Sequence, residues 1–362
     1  MPPPPTLPNE LLEEIFMRLP PDEPAFLVRA TLASKHWFGL LTGPAFRSRY
    51  RDFHGAPSML GFFRSWTPYS AWGEEGLEPL FVSTSNFVAC IPGKEEDQYD
   101  EDVTDTKLAV LDPVTGRWRE LCVPKEYDSH GAAVLCAVPG CHHRTCHEGP
   151  FRVIVVGMNI NKGDSVAYVY VSLPMTDQWS QPPSQWSQPC PGLHLGFDAI
   201  FQPMPPVLTE EALYFTLMYD DDDDKRVGIL IYDLRSKCLS LIDVPLMETD
   251  IACNAILMGM EDGSLGFAHL DGLTLNLWSR KMGSDGTTTW THLRVINLEE
   301  LLPIQNLKQR LGLIGSVEGS DIIFMTMDFG ICQISLKSLE WKKIWKEEYF
   351  GALLPYMSFN DP

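Results

Sequence analysis

Two periodicities of apolar positions divide the chain. From residue 7 to about residue 46 the apolar side chains follow helical spacing. Leu11, Leu12, Ile15, Phe16 and Leu19 fall at i, i+1, i+4, i+5 and i+8, while Glu10, Glu13, Glu14 and Arg18 take the other side. Pro8 suits a first turn, and the early glutamates suit the positive end of a helix dipole. "PPDEP" (20–24) stops this helix. A second is expected from about Ala25 to Ala33, with Phe26, Leu27, Ala30 and Leu32 apolar. Ser34 is positioned to cap a third, which carries Trp37, Phe38, Leu40 and Leu41. Gly43-Pro44 ends it, and "AFRSRYRDFHG" (45–55) adds a final turn or helix. The proline run at 2–5 cannot be helical and reads as a lead-in.

From about residue 58 the period falls to that of strands, and short β-rich runs alternate with turn clusters. These runs repeat. "LAVLDPVTGRWRELCVP" (108–124), "AYVYVSLPMTDQWSQPP" (167–183), "ILIYDLRSKCLSLIDVP" (229–245) and "ICQISLKSLEWKKIWKE" (331–347) each give a β run, a turn, then a bulky residue opening a second run. A fifth copy, "LNLWSRKMGSDGTTTWTHLRVI" (275–296), has a longer Gly-rich loop. The anchors Trp118, Trp179, Leu239, Trp290 and Trp341 are 61, 60, 51 and 51 residues apart. Further β runs precede most copies: "FRVIVVGMN", "EALYFTLMY", "GSLGFAHLD" and "DIIFMTMDF". This period is that of a β-propeller whose blades each hold a hairpin and preceding strands. The anchors are then expected between neighbouring blades, as core. Six blades are expected, with five or seven as alternatives, and "PLFVSTSNFVACI" (79–91) would supply another blade or close the ring. No Trp-Asp dipeptide and no Gly-Gly pair occur, so the WD-repeat and standard kelch signatures are absent, and the architecture alone is kelch-like. An array of β-sandwiches is the competing architecture. The fold class is therefore mainly β, with a helical domain at 1–56 and a β-propeller domain at 57–362.

The formal net charge is −20. Residues 1–60 hold six basic and six acidic side chains, so the whole excess lies in the remainder. "KEEDQYDEDVTD" (94–105) and "DDDDDK" (220–225) carry much of it and read as solvated loops, with steering of a basic partner as the functional alternative. Nucleic acid and anionic membrane are poor partners for such a chain. No apolar run reaches membrane-spanning length, and the first residues have neither the basic nor the apolar part of a secretory leader. Nine cysteines, an odd count without a dense framework, read as reduced thiols of a cytoplasmic or nuclear protein.

Three short helices over roughly 40 residues are too few to bury a stable core alone, so their surplus apolar face invites a partner. The stretch "LPNELLEEIFMRLPPDEPAFLVRATLASKHW" resembles an F-box. It has the Leu-Pro opening, a Leu-Leu-x-x-Ile-Phe helix, a Leu-Pro break, and a Val-Arg-Ala segment ending in Ser-Lys-x-Trp. The resemblance covers residues 6 to about 46. Ala33 stands where many F-boxes have Cys or Ser, and Pro24 lies in the linker before the second helix. An N-terminal F-box before a β-repeat region is similar to the large F-box class of plants. The resemblance implies docking on a Skp-type adaptor, which joins a cullin scaffold. Carried over by position, the contact set is Leu7, Pro8, Leu11, Leu12, Ile15, Phe16, Leu19, Val28, Ser34, Lys35 and Trp37. Some of these, Trp37 in particular, could instead hold the helices together, and Leu11, Leu12 and Ile15 are favoured for adaptor contact.

No Gly-x-Ser-x-Gly elbow, phosphate-binding Gly-x-x-x-x-Gly-Lys loop or His-Glu-x-x-His occurs, and no cofactor is expected. "CAVPGCHHRTCH" brings together Cys136, Cys141, His142, His143, Cys146 and His147, the right ligand types for zinc. Their spacing fits no common structural zinc module, and a loop between two blade strands is the favoured reading. The chain thus reads as a non-catalytic receptor for an unidentified target, basic near its docking site. An F-box protein that delivers nothing for degradation is one alternative. A propeller enzyme or binding module with merely structural N-terminal helices is the other.

Overall fold

The structure is a computed structural model. It describes residues 7–19, 24–41, 43, 46, 49–50, 53, 59–65, 87–91, 107–111, 118–123, 127–137, 150–161, 163–174, 186–202, 204–209, 211–221, 224–245, 254–282, 288–304, 311–328, 330–346 and 352–357. Three helices come first: α1 (Asn9–Met17), α2 (Pro24–Ala33) and α3 (Lys35–Leu41). Strand β1 (Met59–Ser65) follows, and every later element but one is a strand. The chain divides into two compact units, one of Met1–Phe63 with Pro355–Pro362 and one of Arg64–Leu354.

The strands of the second unit form antiparallel sheets in chain order. The first sheet is β2 (Phe87–Ile91), β3 (Lys107–Leu111) and β4 (Trp118–Cys122). The next is β5 (Ser129–Cys136), β6 (Phe151–Asn161), β7 (Asp164–Ser172) and β8 (Trp186–Ser187), with β9 (Leu193–His194) also on β7. The third is β10 (Ala199–Phe201), β12 (Ala212–Asp221), β13 (Asp224–Asp233) and β14 (Leu239–Asp243), with β11 (Val207–Leu208) also on β12. The fourth is β15 (Ala255–Gly259), β16 (Leu265–Asp271), β17 (Thr274–Met282) and β18 (Thr288–Asn297), followed by the short helix α4 (Leu298–Leu301). The fifth is β19 (Gly312–Ser316), β20 (Ile322–Met327), β21 (Gly330–Ser335) and β22 (Trp341–Trp345). β23 (Ala352–Met357) pairs with β1, which makes six sheets among the described residues.

The alternation of side chains explains why this chain builds successive blades rather than paired sandwiches. On β13, Leu230 and Tyr232 pack into a core shared with the second sheet, while Val227, Ile229 and Ile231 pack into a core shared with the fourth. The fourth sheet repeats the device: Leu257, Leu265 and Phe267 face the third sheet, and Ile256, Met258, Ala268 and Leu270 face the fifth. A strand apolar at consecutive positions is one buried on both faces. The third and fourth sheets are thus layers between two neighbours, as blades are.

Three of the expected anchors, Leu239, Trp290 and Trp341, pack at these seams, and the Trp118 side chain lies outside what is described. The Trp290 indole N–H donates to the carbonyl of Asp243 at 2.9 Å, and the Trp186 indole N–H donates to that of Cys122 at 3.1 Å. Asp243 and Cys122 are the last residues of the preceding blades' outer strands, so two tryptophans tie their blades back by the same bond. Trp186 opens β8 opposite Ser172, after a longer connection than the repeat suggests; the expected anchor Trp179 lies outside the described residues. Trp290→Phe keeps the ring's edge-on contact with Phe267, at 6.0 Å between centroids, and loses only the hydrogen bond. It is expected to lower stability by about 1 kcal/mol, read as the shift of the urea midpoint.

Two of the repeat's turns share one geometry. Lys237 and Leu339 both have φ of 58°, and each donates its amide to the residue that opens the turn, Asp233 or Ser335. The Asp233 carboxylate accepts from the amides of Arg235 and Ser236, and the Ser335 hydroxyl accepts from that of Ser338. A polar side chain at that position replaces backbone partners that a tight turn leaves unpaired. The aspartate run differs from the solvated loop expected: Asp220 and Asp221 belong to β12 and pair with Lys225 and Asp224 of β13.

Candidate functional site

The helical unit is built around a small core. Leu12, Phe16 and Met17 of α1, Leu27 and Ala30 of α2, Leu41 of α3, and Phe46 and Tyr50 beyond it are buried together. Trp37 is half-buried, edge-on to Phe16 at 5.3 Å, and so helps hold the helices to one another. The Pro8 carbonyl accepts the amides of Leu11 and Leu12 at 3.1 Å each, which starts α1. Ser34 caps α3 as its sequence position suggests, its hydroxyl accepting the His36 amide at 3.2 Å. Three further bonds tie the ends together: His36 Nε2 to Asn9 Oδ1 at 2.8 Å, Tyr50 Oη to the Leu19 carbonyl at 2.7 Å, and an Arg49–Glu13 ion pair.

This packing divides the eleven residues that the resemblance names. Leu12 and Phe16 are 5% and 4% exposed and belong to the unit's own core. Leu11 and Ile15, one helical turn apart, are 49% and 50% exposed, and Leu7 continues the same side of the chain. Pro8 and Lys35 are exposed, Leu19 and Ser34 are half-buried, and the Val28 side chain lies outside what is described. Phe26, Leu32 and Phe38 are also largely exposed apolar side chains, and the sequence reading did not single them out as contacts. The available signal was that α2 is apolar on more sides than its buried Leu27–Ala30 stripe needs.

The propeller unit offers candidate chemistry at fewer places. Of the six zinc-type ligands, Cys136 ends β5 and the other five lie outside the described residues. Among the described residues, no three histidine, cysteine, aspartate or glutamate side chains are grouped to hold a metal ion. The acidic run at 94–105 is likewise outside them. At one end of the second blade Asp164 accepts from His194 Nδ1 at 2.6 Å and from the Gly196 amide at 2.9 Å, and these bonds hold its carboxyl below the usual range.

One half-buried imidazole, His130, and one buried imidazole, His269, give the propeller a pH dependence. Burial lowers the pKa of His130, and burial, opposed by Asp271 and aided by His292, lowers that of His269. A histidine held neutral in the fold takes up its proton first in the unfolded chain. Its contribution to stability is therefore complete above the ordinary value near 6.5 and is lost as pH falls below it towards the folded value. The urea midpoint of the β signal is expected to be lower at pH 5.5 than at pH 7.5, with a smaller drop in His269→Asn.

Two families match separate stretches of the chain. Residues 5–49 match the F-box domain, and residues 100–362 match the family described as "F-box protein AT5G49610-like, beta-propeller". No curated protein matches the chain. Among solved structures, a protein from Lactobacillus plantarum aligns at 12% identity over 79% of this chain and 81% of its own, with a TM-score of 0.39. Zg3597, a family 117 glycoside hydrolase from Zobellia galactanivorans, aligns at 10% identity over 67% and 76%, with a TM-score of 0.34. A post-proline cleaving enzyme from Rickettsia typhi aligns at 12% identity over 80% of this chain and 37% of its own, also at 0.34. Likeness at this level assigns no activity.

Proposed function

Because the chain belongs to the family of F-box proteins with an AT5G49610-like β-propeller, we propose that it is the substrate-receptor subunit of a Skp–cullin–F-box ubiquitin ligase. The observation that carries this reading is the exposed Leu11–Ile15 stripe on a helix whose opposite side is already committed to core. An apolar stripe in water is stabilised when a partner covers it, and a Skp-type adaptor is the partner that an F-box domain generally binds. The propeller then holds a target protein. Its role is proximity: a lysine of the target, kept near the ubiquitin-charged enzyme, meets it at raised effective concentration, and the chain itself makes or breaks no bond. The net charge of −20, all of it beyond residue 60, favours a target that is basic near its docking site.

The test is reconstitution. With adaptor, cullin and the remaining ligase components, ubiquitin transfer to proteins captured by residues 57–362 should require the full chain and stop when the F-box residues are altered. Capture without any transfer would leave an F-box protein that does not deliver substrates. Capture that is indifferent to salt between 50 and 300 mM would remove the basic-target part of the reading.

A further inference from the structure

β18 is the last strand of its sheet, paired with β17 and, among the described residues, with no other strand. Its second edge therefore presents a row of backbone N–H and C=O groups without strand partners. At ten residues it is twice as long as β4, β14 or β22, the five-residue outer strands of other blades, and β8 has two. Shortness and charge guard those edges: β22 exposes Lys342 and Lys343, and β14 ends in Asp243. β18 has no lysine, proline or acidic residue. Its one irregularity is the bulge opposite Leu277 and Trp278, where Leu293 is the extra residue. Leu293 and Val295 are 46% and 54% exposed, and Thr289, Thr291 and His292 are exposed beside them.

We propose that β18 takes an extended acidic segment of a partner protein as a fifth strand of the fourth blade. A row of backbone donors and acceptors at strand spacing is complemented by another strand, whose main-chain bonds give affinity while its side chains give specificity. Charge selects which strand. Residues 274–282 and 288–297, which make up β17 and β18, hold Arg280, Lys281 and Arg294 and no acidic side chain, in a chain whose net charge is −20. Lys281 pairs with Asp262 at 3.2 Å. Arg280 donates to Thr288 Oγ1 at 2.7 Å and Arg294 to the Leu336 carbonyl at 2.6 Å, and neither oxygen carries a charge. Among the described residues, the two arginines therefore have hydrogen bonds without a counter-ion. A second copy of the chain would set two such basic edges side by side, and like charges oppose that pairing. A segment that alternates apolar and acidic side chains covers Leu293 and Val295 and offsets the arginine charges. The edge is available whether or not the chain delivers substrates for ubiquitylation, and the acidic segment that fits it is distinct from the basic surface that the rest of the chain favours.

The probe is a fluorescent peptide of ten residues, the length of β18, that alternates valine with glutamate. It is titrated into the full chain, and exchange of backbone amides is followed by mass spectrometry. Saturable binding is expected, with added amide protection confined to residues 288–297. Lysine in place of glutamate should weaken binding more than about ten-fold. N-methylation of every peptide amide should abolish it, since the side chains stay and only the main-chain bonds are lost. Leu293→Glu/Val295→Glu, two exposed changes, should keep the urea midpoint of the β signal and lose the peptide. Binding that survives N-methylation, protection that falls on β14 or β22 instead, or no saturable binding at millimolar peptide overturns the proposal. So does a wild-type chain that elutes as a dimer and becomes monomeric in Leu293→Glu/Val295→Glu, because the occupant is then a second copy. If the double variant is unstable, the exchange map of the wild-type chain decides by itself.

Discussion

Replacing both Leu11 and Ile15 with aspartate is expected to abolish binding to a Skp-type adaptor and to leave the chain folded. Each side chain is about half exposed, so the substitution takes little from the helical core formed by Leu12, Phe16, Leu27 and Leu41. In the proposed complex the same two side chains would be fully covered. Burying a Leu or Ile side chain is worth about 1.5–3 kcal/mol, and an aspartate in its place must also lose water without gaining a partner. The two together exceed about 3 kcal/mol, or more than about 100-fold in affinity. Calorimetric titration reads the loss, and the far-UV spectrum reads the fold. The contrast with Leu12→Asp makes the result specific. At 5% exposure Leu12 has no free face to offer, so that variant should lose helix signal as well as binding. Loss of helix in Leu11→Asp/Ile15→Asp, or retained affinity, would mean that the stripe does not carry the contact.

Phe267→Ala should be among the most destabilising single changes in the propeller. Phe267 is 1% exposed on β16, in the core between the third and fourth blades, and its ring meets Trp290 edge-on. Truncation removes a full ring from a seam held on both sides by strands, which cannot collapse into the gap. A loss of about 3–5 kcal/mol is expected, visible as a lower urea midpoint of the β signal. The helical signal is its internal control. Adaptor binding, which the proposed function places on α1, should survive in any preparation that stays soluble, and this separates the two parts of that function.

Much of this architecture could be read from residue types because blades repeat. The bulky residue that opens the run after each turn and the consecutive apolar positions on β13 and β16 are local features, and local features survive into the sequence. The second expected anchor, Trp179, lies outside the described residues, while Trp186 opens β8 opposite Ser172 and ties this blade to the preceding one. The aspartate run looked like a loop because charge repulsion suggests one, yet an antiparallel pairing can carry strands through it when the flanking residues are already in register. In the helical unit, the helices, their breaks and the Ser34 cap were legible. Which of Leu11, Leu12, Ile15 and Phe16 point inward was not, since a helix with adjacent apolar pairs has a wide apolar face and only its neighbours decide which half is covered.

The most direct measurement mixes the full chain with a Skp-type adaptor and determines the mass of the product by light scattering during size exclusion. A one-to-one complex, absent with Leu11→Asp/Ile15→Asp, is the expected result. A folded wild-type chain that elutes apart from the adaptor at micromolar concentration would contradict the receptor function and leave the propeller as a binding module in its own right.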